Sequence, residues 1–450
     1  MMVERSYNLK YVMSICIVAS LGGFLFGFDI SVISGTLSYL EGMFDLSGTS
    51  KGLVVASAIF GCVFGAGGIG KISDTIGRKK SLFLACLLLI ISAIGSGWSN
   101  SIGLFVFYRF IGGVGVGAAS GVAPIYIAEV APTKIRGGLV AFYQLAIVVG
   151  LSAAYVSNYF IELNTAEDSW RWMFTAEAAP GVLFFAAIFL IPETPRFLVK
   201  IGKTAKAGSV LSKIENEQYA SKEIENIKKT LAHVRKGSLK DLLEPRLLRI
   251  VIIGALLGIF QQISGVNAVL FYAPQIFEAT GVEFSASLLQ STFIGLVFIV
   301  FSFIPLLLVD KAGRKKILLI GMACMAGSLA VISTFFVMDK TNSFGILIAV
   351  LCYVAAYAGS IASVTWIVLS EIFPNRIRAE AMAVANLCLW SANTLLTLTF
   401  PILEEKYGIQ TPFIAYTVIC VIIFFFVLYY IPETKGKSLE EIEEELVGIK

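Results

Sequence analysis

Twelve stretches of mostly apolar residues follow one another along this chain, at approximately 11–39, 53–72, 81–99, 102–126, 138–160, 172–191, 248–278, 286–309, 317–338, 344–371, 380–402 and 411–431. About twenty such residues, wound as a helix, span the hydrocarbon core of a bilayer. Water is absent there, so each backbone amide and carbonyl must be paired within its own segment, which a helix achieves. The pattern predicts an all-α membrane protein with twelve transmembrane helices. Composition agrees: of 450 residues, 57% are hydrophobic and 15% charged, with a mean hydropathy of +0.83, outside the range of soluble domains. The first run leads into further spans without a small-residue cleavage site and reads as a retained helix.

Between the sixth and seventh runs lies a polar linker, 193–247, whose patterning predicts short surface helices over 205–214 and 221–234. The tail from Pro432 is polar, and Ser438, Leu439, Glu440 and Glu441 read as a capping box. Basic residues set the orientation. Of the 35 Lys and Arg, 29 fall on the termini, the linker and alternate loops, with Arg249 at the start of the seventh run, against Lys51, Arg171, Lys340 and Lys406 on the other side. Excess positive charge marks the cytoplasmic side, so both termini and the linker are expected there, in a multi-pass protein of the cell membrane.

The chain also repeats itself. SDTIGRKK at 73–80 returns as VDKAGRKK at 309–316, AEVAPTKIRGG at 128–138 as SEIFPNRIRAE at 370–380, and IPETPR at 191–196 as IPETKG at 431–436. Asp74 and Asp310, Glu129 and Glu371, and Pro192 and Pro432 are displaced by 236, 242 and 240 residues, in the same order. A nearly constant offset implies two homologous six-helix halves: a bundle over 1–192, the linker 193–247, a second bundle over 248–431 and a tail over 432–450. Two such pseudo-symmetric halves make a transporter architecture with the solute site near the bilayer midplane. The matched charges are Asp74, Arg78, Glu129, Arg136 and Glu193 in one half, and Asp310, Arg314, Glu371, Arg378 and Glu433 in the other. Clusters of this kind across helix ends can hold the inner side shut and release as the halves move; static helix-end pairs are the alternative.

Several functions drop out. The chain holds a single histidine, His233, in the polar linker, which excludes a His-based catalytic or His-rich metal site. Cys16, Cys62, Cys86, Cys324, Cys352, Cys388 and Cys420 all sit in apolar runs without paired spacing and read as small buried hydrophobes. GGVGVG at 112–117 follows a charged membrane segment rather than a strand, so it is no dinucleotide loop; its glycines allow close helix packing. Net charge is only +4, too weak to argue for nucleic acid. With no nucleophile–base arrangement, an enzyme is not expected, no cofactor is called for, and a monomer is the expected state.

Polar groups inside the runs carry the function. The stretch 261–277, QQISGVNAVLFYAPQIF, spends Gln261, Gln262 and Asn267 where lipid contact would be costly. Amides donate and accept without charge, which suits a neutral polyhydroxy solute; helix–helix hydrogen bonding is the competing explanation. Gln144, Asn158, Trp366, Trp390 and Asn393 complete an uncharged set drawn from both halves. Asp29 in the first run and Arg109 in the fourth are charges at depth. A lone charge there costs at least ~2.5–3.5 kcal/mol, so the two should pair. A carboxylate poised between desolvation and an arginine can take and release a proton, freeing Arg109 as it does; a static ion pair is the alternative. Glu177 is expected near the outer headgroups or beside Arg171.

With these motifs in hand, the chain resembles the sugar porter branch of the major facilitator superfamily over essentially its whole length. FGFDISVISG, SDTIGRKK, YRFIGGVGVG, AEVAPTKIRG, IPETPRFL, QQISGVNAVLFYAP, VDKAGRKK, SEIFPNRIR and IPETKG stand in family order. It looks closest to bacterial xylose/glucose–proton symporters. The resemblance implies hexose, pentose or polyol transport by alternating access, with sugar contacts at the positions of Gln144, Gln261, Gln262, Asn267 and Trp366, and with Trp390 and Asn393 at the eleventh-helix site. An aspartate at the position of Asp29 looks like the proton-coupled members.

Three departures stand out. Ala362 and Ser363 replace the family's Gly-Pro before Trp366. Phe271–Tyr272 replaces the tyrosine pair of the outer gate. Leu151, Phe298 and Leu389 occupy usually polar sugar-contact positions. A proton-coupled monosaccharide symporter is therefore expected. A facilitative sugar or inositol uniporter, or a non-transporting sugar sensor, are the other readings.

Overall fold

A computed structural model describes residues 7–165, 168–233, 241–338, 342–374, 376–437 and 441–442. Among the described residues the chain is helical, without strands. The helices are α1 (Leu9–Phe44), α2 (Gly48–Ile76), α3 (Arg78–Gly97), α4 (Ile102–Val130), α5 (Arg136–Asn164), α6 (Ser169–Ala176), α7 (Ala178–Ile188), α8 (Pro195–Lys200), α9 (Thr204–Ile214) and α10 (Glu217–His233). They continue as α11 (Pro245–Ile263), α12 (Val266–Phe271), α13 (Ala273–Glu278), α14 (Phe284–Ala312), α15 (Arg314–Val337), α16 (Ser343–Ala358), α17 (Ile361–Ile372), α18 (Arg378–Tyr407) and α19 (Gln410–Tyr430). The capping box expected at Ser438 and the loop residue Lys340 lie outside the described residues.

Among the described residues, eleven spans are long and apolar enough to cross a bilayer, counting Leu247–Phe271 and Ser343–Ile372 as one each. The twelfth is the sixth expected run, which the structure divides into α6 and α7. Pro180 explains the division. It has no amide hydrogen for the Ala176 carbonyl, and its ring crowds that carbonyl, so the chain tightens locally and the Glu177 amide donates to Phe174 O at 3.2 Å.

Two compact units emerge from the packing. One comprises the described residues of Met1–Ile30, Gly61–Leu151 and Phe174–Lys236; the other those of Ser31–Phe60, Ser152–Met173 and Gly237–Lys450. The first unit is knit by glycines. In α4, Gly117 packs against the backbone of Cys62, and Gly150 of α5 meets the Phe24 carbonyl of α1, approaches that only a missing side chain permits. The linker helices α8, α9 and α10 add a small core of Leu198, Val199 and Ala207 beneath Val210, Ile224, Ile227 and Leu231. Thr194 caps α8 by accepting from the Phe197 amide at 3.4 Å, and Pro195 fills its first turn. In the second unit α11 packs on α18, and α15 on α16 and α19.

The sequence repeat becomes a repeated turn, once in each unit. α3 begins after Gly77 (φ 98°, ψ 163°) and α15 after Gly313 (φ 93°, ψ 153°), backbone that is essentially reserved for glycine. A Cβ at Gly77 would also strike Glu193 Oε2, and one at Gly313 would strike Glu433 Oε2. The bare backbone lets each carboxylate reach the exposed amides of the next helix. Arg78 N donates to Glu193 Oε1 at 3.0 Å and Lys79 N to Oε2 at 3.2 Å; Arg314 N donates to Glu433 Oε1 at 2.9 Å and Lys315 N to Oε2 at 3.2 Å. An anion there is favoured by the unpaired amides and by the helix dipole. Gly77→Ala should cost about 1–3 kcal/mol, seen as a lower midpoint for thermal unfolding in detergent. Gly67→Ala, at a helical glycine with no atom within 4 Å of the new Cβ, should leave that midpoint in place.

Candidate functional site

The first unit holds a charged centre. Asp29 of α1 and Arg109 of α4 are 0% and 2% exposed. Arg109 Nη1 bonds Asp29 Oδ1 at 2.7 Å, and Nη2 donates to the Asp29 carbonyl at 3.0 Å. The guanidinium also lies over the Phe174 ring at 5.4 Å. Gly112, one turn on from Arg109, leaves room for the pair: a Cβ there would sit 3.2 Å from Asp29 Oδ1 and crowd Ser92 Oγ.

Glu177 belongs to the same centre, contrary to its expected place at the headgroups. It is 1% exposed, with its carboxyl close enough to Asp29 and Arg109 for their charges to act on it. Arg171, its expected partner, pairs instead with Asp168 at 3.2 Å. The break at Pro180 sets Glu177 at the joint between α6 and α7. Asp29 Oδ2, Arg109 Nε and both Glu177 oxygens have no conventional hydrogen-bond partner. Two ionised carboxylates can only accept; one proton between them would supply the missing donor. The signal was present in the sequence: a lone carboxylate within a membrane run is a functional candidate by default.

Apart from Gln144, the uncharged set lies in the second unit, which carries two broken helices. The α11–α12 junction turns at Gly265 (φ 101°), where a Cβ would meet the Tyr416 ring at 2.6 Å; α12 passes into α13 through Tyr272, with Pro274 in the first turn. Carbonyls near these breaks find side-chain donors. Tyr353 OH donates to Ser264 O at 3.0 Å and Tyr155 OH to Leu270 O at 2.7 Å. The α16–α17 joint breaks at Gly359 and Ser360, and there Gln261 Nε2 donates to Ile361 O at 3.2 Å and Ala362 O at 3.0 Å.

Gln261 is therefore a helix brace. Gln262 Nε2 donates to Gln261 Oε1 at 3.4 Å and Gln262 Oε1 accepts from Asn267 Nδ2 at 2.5 Å, so the three side-chain amides form one relay. Asn267 and Trp366 stay half-buried, whereas Trp390 and Asn393 are buried. Asn393 Oδ1 accepts from Thr397 Oγ1 at 3.3 Å. The Thr397 carbonyl holds Tyr272 OH at 3.0 Å, and Tyr272 stacks on Phe400 at 4.6 Å beside the fully buried Phe271. Asn158 donates to Val32 O at 3.1 Å. Gln144 stands half-buried on α5 in the first unit.

The matched charges form one cluster in each unit. Arg78 pairs with Asp74 and Glu129, both at 3.0 Å; Arg314 pairs with Asp310 at 3.0 Å and Glu371 at 2.9 Å. Arg136 and Arg378 bond main-chain carbonyls, those of Ala131 at 3.4 Å and Phe373 at 3.1 Å. Burial pushes the Glu193 carboxyl above its ordinary range, while the Thr194, Lys79 and Arg78 amides pull it back.

The second unit also carries a polar cluster that sequence reading missed. Lys51 of α2 lies 2.5 Å from Glu41 of α1 and 3.8 Å from Glu404 of α18. Gln275 of α13 donates to Glu41 at 2.6 Å, the Gly48 amide to Glu405 at 3.0 Å, and Ser38 to Glu278 at 3.3 Å. These bonds join the ends of α1 and α2 to α13 and α18.

A family model described as "Sugar (and other) transporter" matches residues 15–446. The arabinose-proton symporter of Bacillus subtilis is 39% identical over 447 residues, covering 98% of this chain and 96% of that protein. The D-xylose-proton symporter of Escherichia coli is 39% identical over 482 residues, with 98% and 97% coverage. Among solved structures, the inward open conformation of the xylose transporter XylE from E. coli matches with a TM-score of 0.87 at 37% identity, covering 97% of this chain and all of that one.

Removing Arg109 would strand two buried carboxyls without a cation. Arg109→Met should cost about 3–5 kcal/mol, read as a lower unfolding midpoint in detergent. Adding Asp29→Asn should recover part of that loss, because one of the stranded carboxyls is then neutral.

Proposed function

The chain belongs to the sugar (and other) transporter family, and we propose that it is a proton-coupled monosaccharide symporter, carrying a pentose or hexose across the cell membrane by alternating access. The relatives named above as arabinose- and xylose-proton symporters support the substrate class. The observation that carries the coupling is the buried Asp29–Arg109 pair with Glu177 beside it.

In this reading Asp29 is the proton carrier. Ionised, it holds Arg109; protonated, it releases the guanidinium, and Glu177 is the second carboxyl between which the proton is shared. The sugar is held by Gln144, Gln262, Asn267, Trp366, Trp390 and Asn393, with Gln261 fixing the geometry of the two broken helices and offering its remaining capacity to the solute. Indole offers an apolar face to the ring C–H side and one N–H donor. The Arg78 and Arg314 clusters latch the inner side, joined by Glu193, Arg136, Arg378 and Glu433; the Glu41–Lys51–Gln275 cluster latches the outer side over Phe271 and Tyr272. The termini and linker are cytoplasmic on the strength of the Lys and Arg distribution. The protein acts as a monomer, without cofactor or nucleic acid, and transports the sugar unchanged.

One pH unit across the membrane is worth about 1.4 kcal/mol per proton, a tenfold accumulation. In proteoliposomes with an imposed inward proton gradient, the wild type should concentrate a labelled pentose or hexose. Asp29→Asn should abolish that accumulation while sugar counterflow survives. Accumulation that persisted in this variant would disprove the coupling role. Asn267→Ala should raise KM roughly tenfold, from the loss of about 1.4 kcal/mol of hydrogen bonding. An unchanged KM in counterflow would remove Asn267 from the sugar site.

A further inference from the structure

At the linker side of the first unit a cavity of about 570 Å³ opens between the start of α3, the end of α7 and the linker helices α8 and α9. That volume is within the range that holds a small organic ligand or headgroup. None of the sugar or proton residues lines it. Its lining divides by chemistry. Lys79, Lys80, Lys203 and Lys206 supply four ammonium groups, while Phe83, Phe189 and Ile201 supply an apolar wall.

The lysines are not equivalent. Lys79 Nζ is bonded to Ile191 O at 2.7 Å and Phe189 O at 3.2 Å, the carbonyls where α7 ends. Lys80, Lys203 and Lys206 are exposed, and among the described residues none forms an ion pair. Neighbouring acids are already engaged. Asp74 is bound to Arg78 at 3.0 Å and Lys200 at 3.4 Å. Glu193, the one carboxylate in the lining, is held by the amides of Arg78, Lys79 and Thr194. The cavity thus has uncompensated positive charge. It also meets the start of α9, where Lys203 provides no side-chain cap, so first-turn amides add to the attraction for an anion.

The apolar wall decides which anion. Phe83 packs on Phe185 at 4.7 Å and Phe189 at 5.8 Å. Phe189 is 61% exposed and Leu190 beside it 83%, at the end of the sixth apolar run. α3 and α7 also expose Leu84, Leu87, Val182 and Leu183, apolar side chains suited to lipid. A free phosphate would gain nothing from the wall. A phospholipid would: headgroup phosphate against lysine, acyl chain along phenylalanine. Basic pockets between membrane helices on the cytoplasmic side are a recurrent form of such recognition.

We propose that this cavity binds one anionic glycerophospholipid of the leaflet on the linker side. Lys80, Lys203 and Lys206 hold the headgroup, and Phe83 and Phe189 hold the upper part of a chain. The lipid ties the linker helices to the membrane helices α3 and α7. The site is independent of sugar and proton, so its failure would leave the transport reading intact.

The test is native mass spectrometry of the full chain released from detergent micelles, with phosphatidylglycerol and phosphatidylcholine of the same acyl chains as probes. Wild type should retain phosphatidylglycerol at least tenfold over phosphatidylcholine. Lys80→Gln/Lys203→Gln/Lys206→Gln should bring that ratio near one. A control with Lys213→Gln, Lys222→Gln and Lys228→Gln, which removes equal charge from exposed positions of α9 and α10, should keep it. Retention should also survive millimolar glycerol phosphate. No preference in wild type, equal loss in the control, or displacement by glycerol phosphate would overturn the proposal. Should the triple variant not fold, as judged by its unfolding midpoint, Lys80→Gln and Lys203→Gln singly must each lower the ratio, and two unchanged ratios would count against the site.

Discussion

In hydrocarbon, a polar group without a partner has no water to fall back on, and that constraint shows at the helix breaks and at the buried ion pair. Where a helix is continuous, the backbone satisfies itself. Where it breaks, at Gly265, Tyr272 and Ser360, nearby carbonyls receive donors from Tyr353, Tyr155 and Gln261. Irregular backbone at depth is thus tolerated because neighbouring side chains complete it. Asp29 and Arg109 obey the same rule with charge: two bonds join them, one to the carboxylate and one to the main chain.

The repeat in sequence turns out to be a repeat in chemistry. Each unit uses a glycine in a backbone conformation closed to other residues, a carboxylate on the next helix's first amides, and an arginine bridging two acids. The distances agree to about 0.1 Å between Arg78–Asp74 and Arg314–Asp310, and between Arg78–Glu129 and Arg314–Glu371. Divergence appears one residue away. Thr434 donates to Glu371 at 2.6 Å, whereas Thr194 caps α8.

How much of this was legible follows from the range of each signal. Twelve apolar runs gave the helical architecture because membrane thickness fixes their length. Charge at depth is rare enough that Asp29 and Arg109 could be paired by cost alone. Glu177 was misplaced because its depth was judged from distance to the run's end, while its true position depends on the Pro180 break and on packing against α1 and α4. The Glu41–Lys51–Gln275 cluster was invisible for a different reason. Its members lie in loops or helix ends, where a charged residue is ordinary, and only tertiary packing brings them together. Gln261 was legible as a polar residue that lipid would reject, but sequence could not divide its role between helix brace and solute ligand. Its bonds to Ile361 and Ala362 assign much of it to the brace.

That assignment bears on why, under the proposed symport, the sugar and proton groups differ in kind. A neutral polyhydroxy solute needs many weak, directional partners whose hydrogen bonds can be exchanged for those of water at small net cost, which amides and indoles provide. A proton needs one group whose charge changes the balance of the structure by several kcal/mol, which only a buried ion pair provides. Placing an ionised carboxylate against the sugar would make binding follow its protonation directly. In the proposed reading the proton belongs to Asp29, Arg109 and Glu177 of α1, α4 and the α6–α7 joint, and the solute to the amide relay of α11 and α12, so each would act on the helices that carry it. Coupling in that reading is a property of helix position, with the ion pair favouring one position over the other.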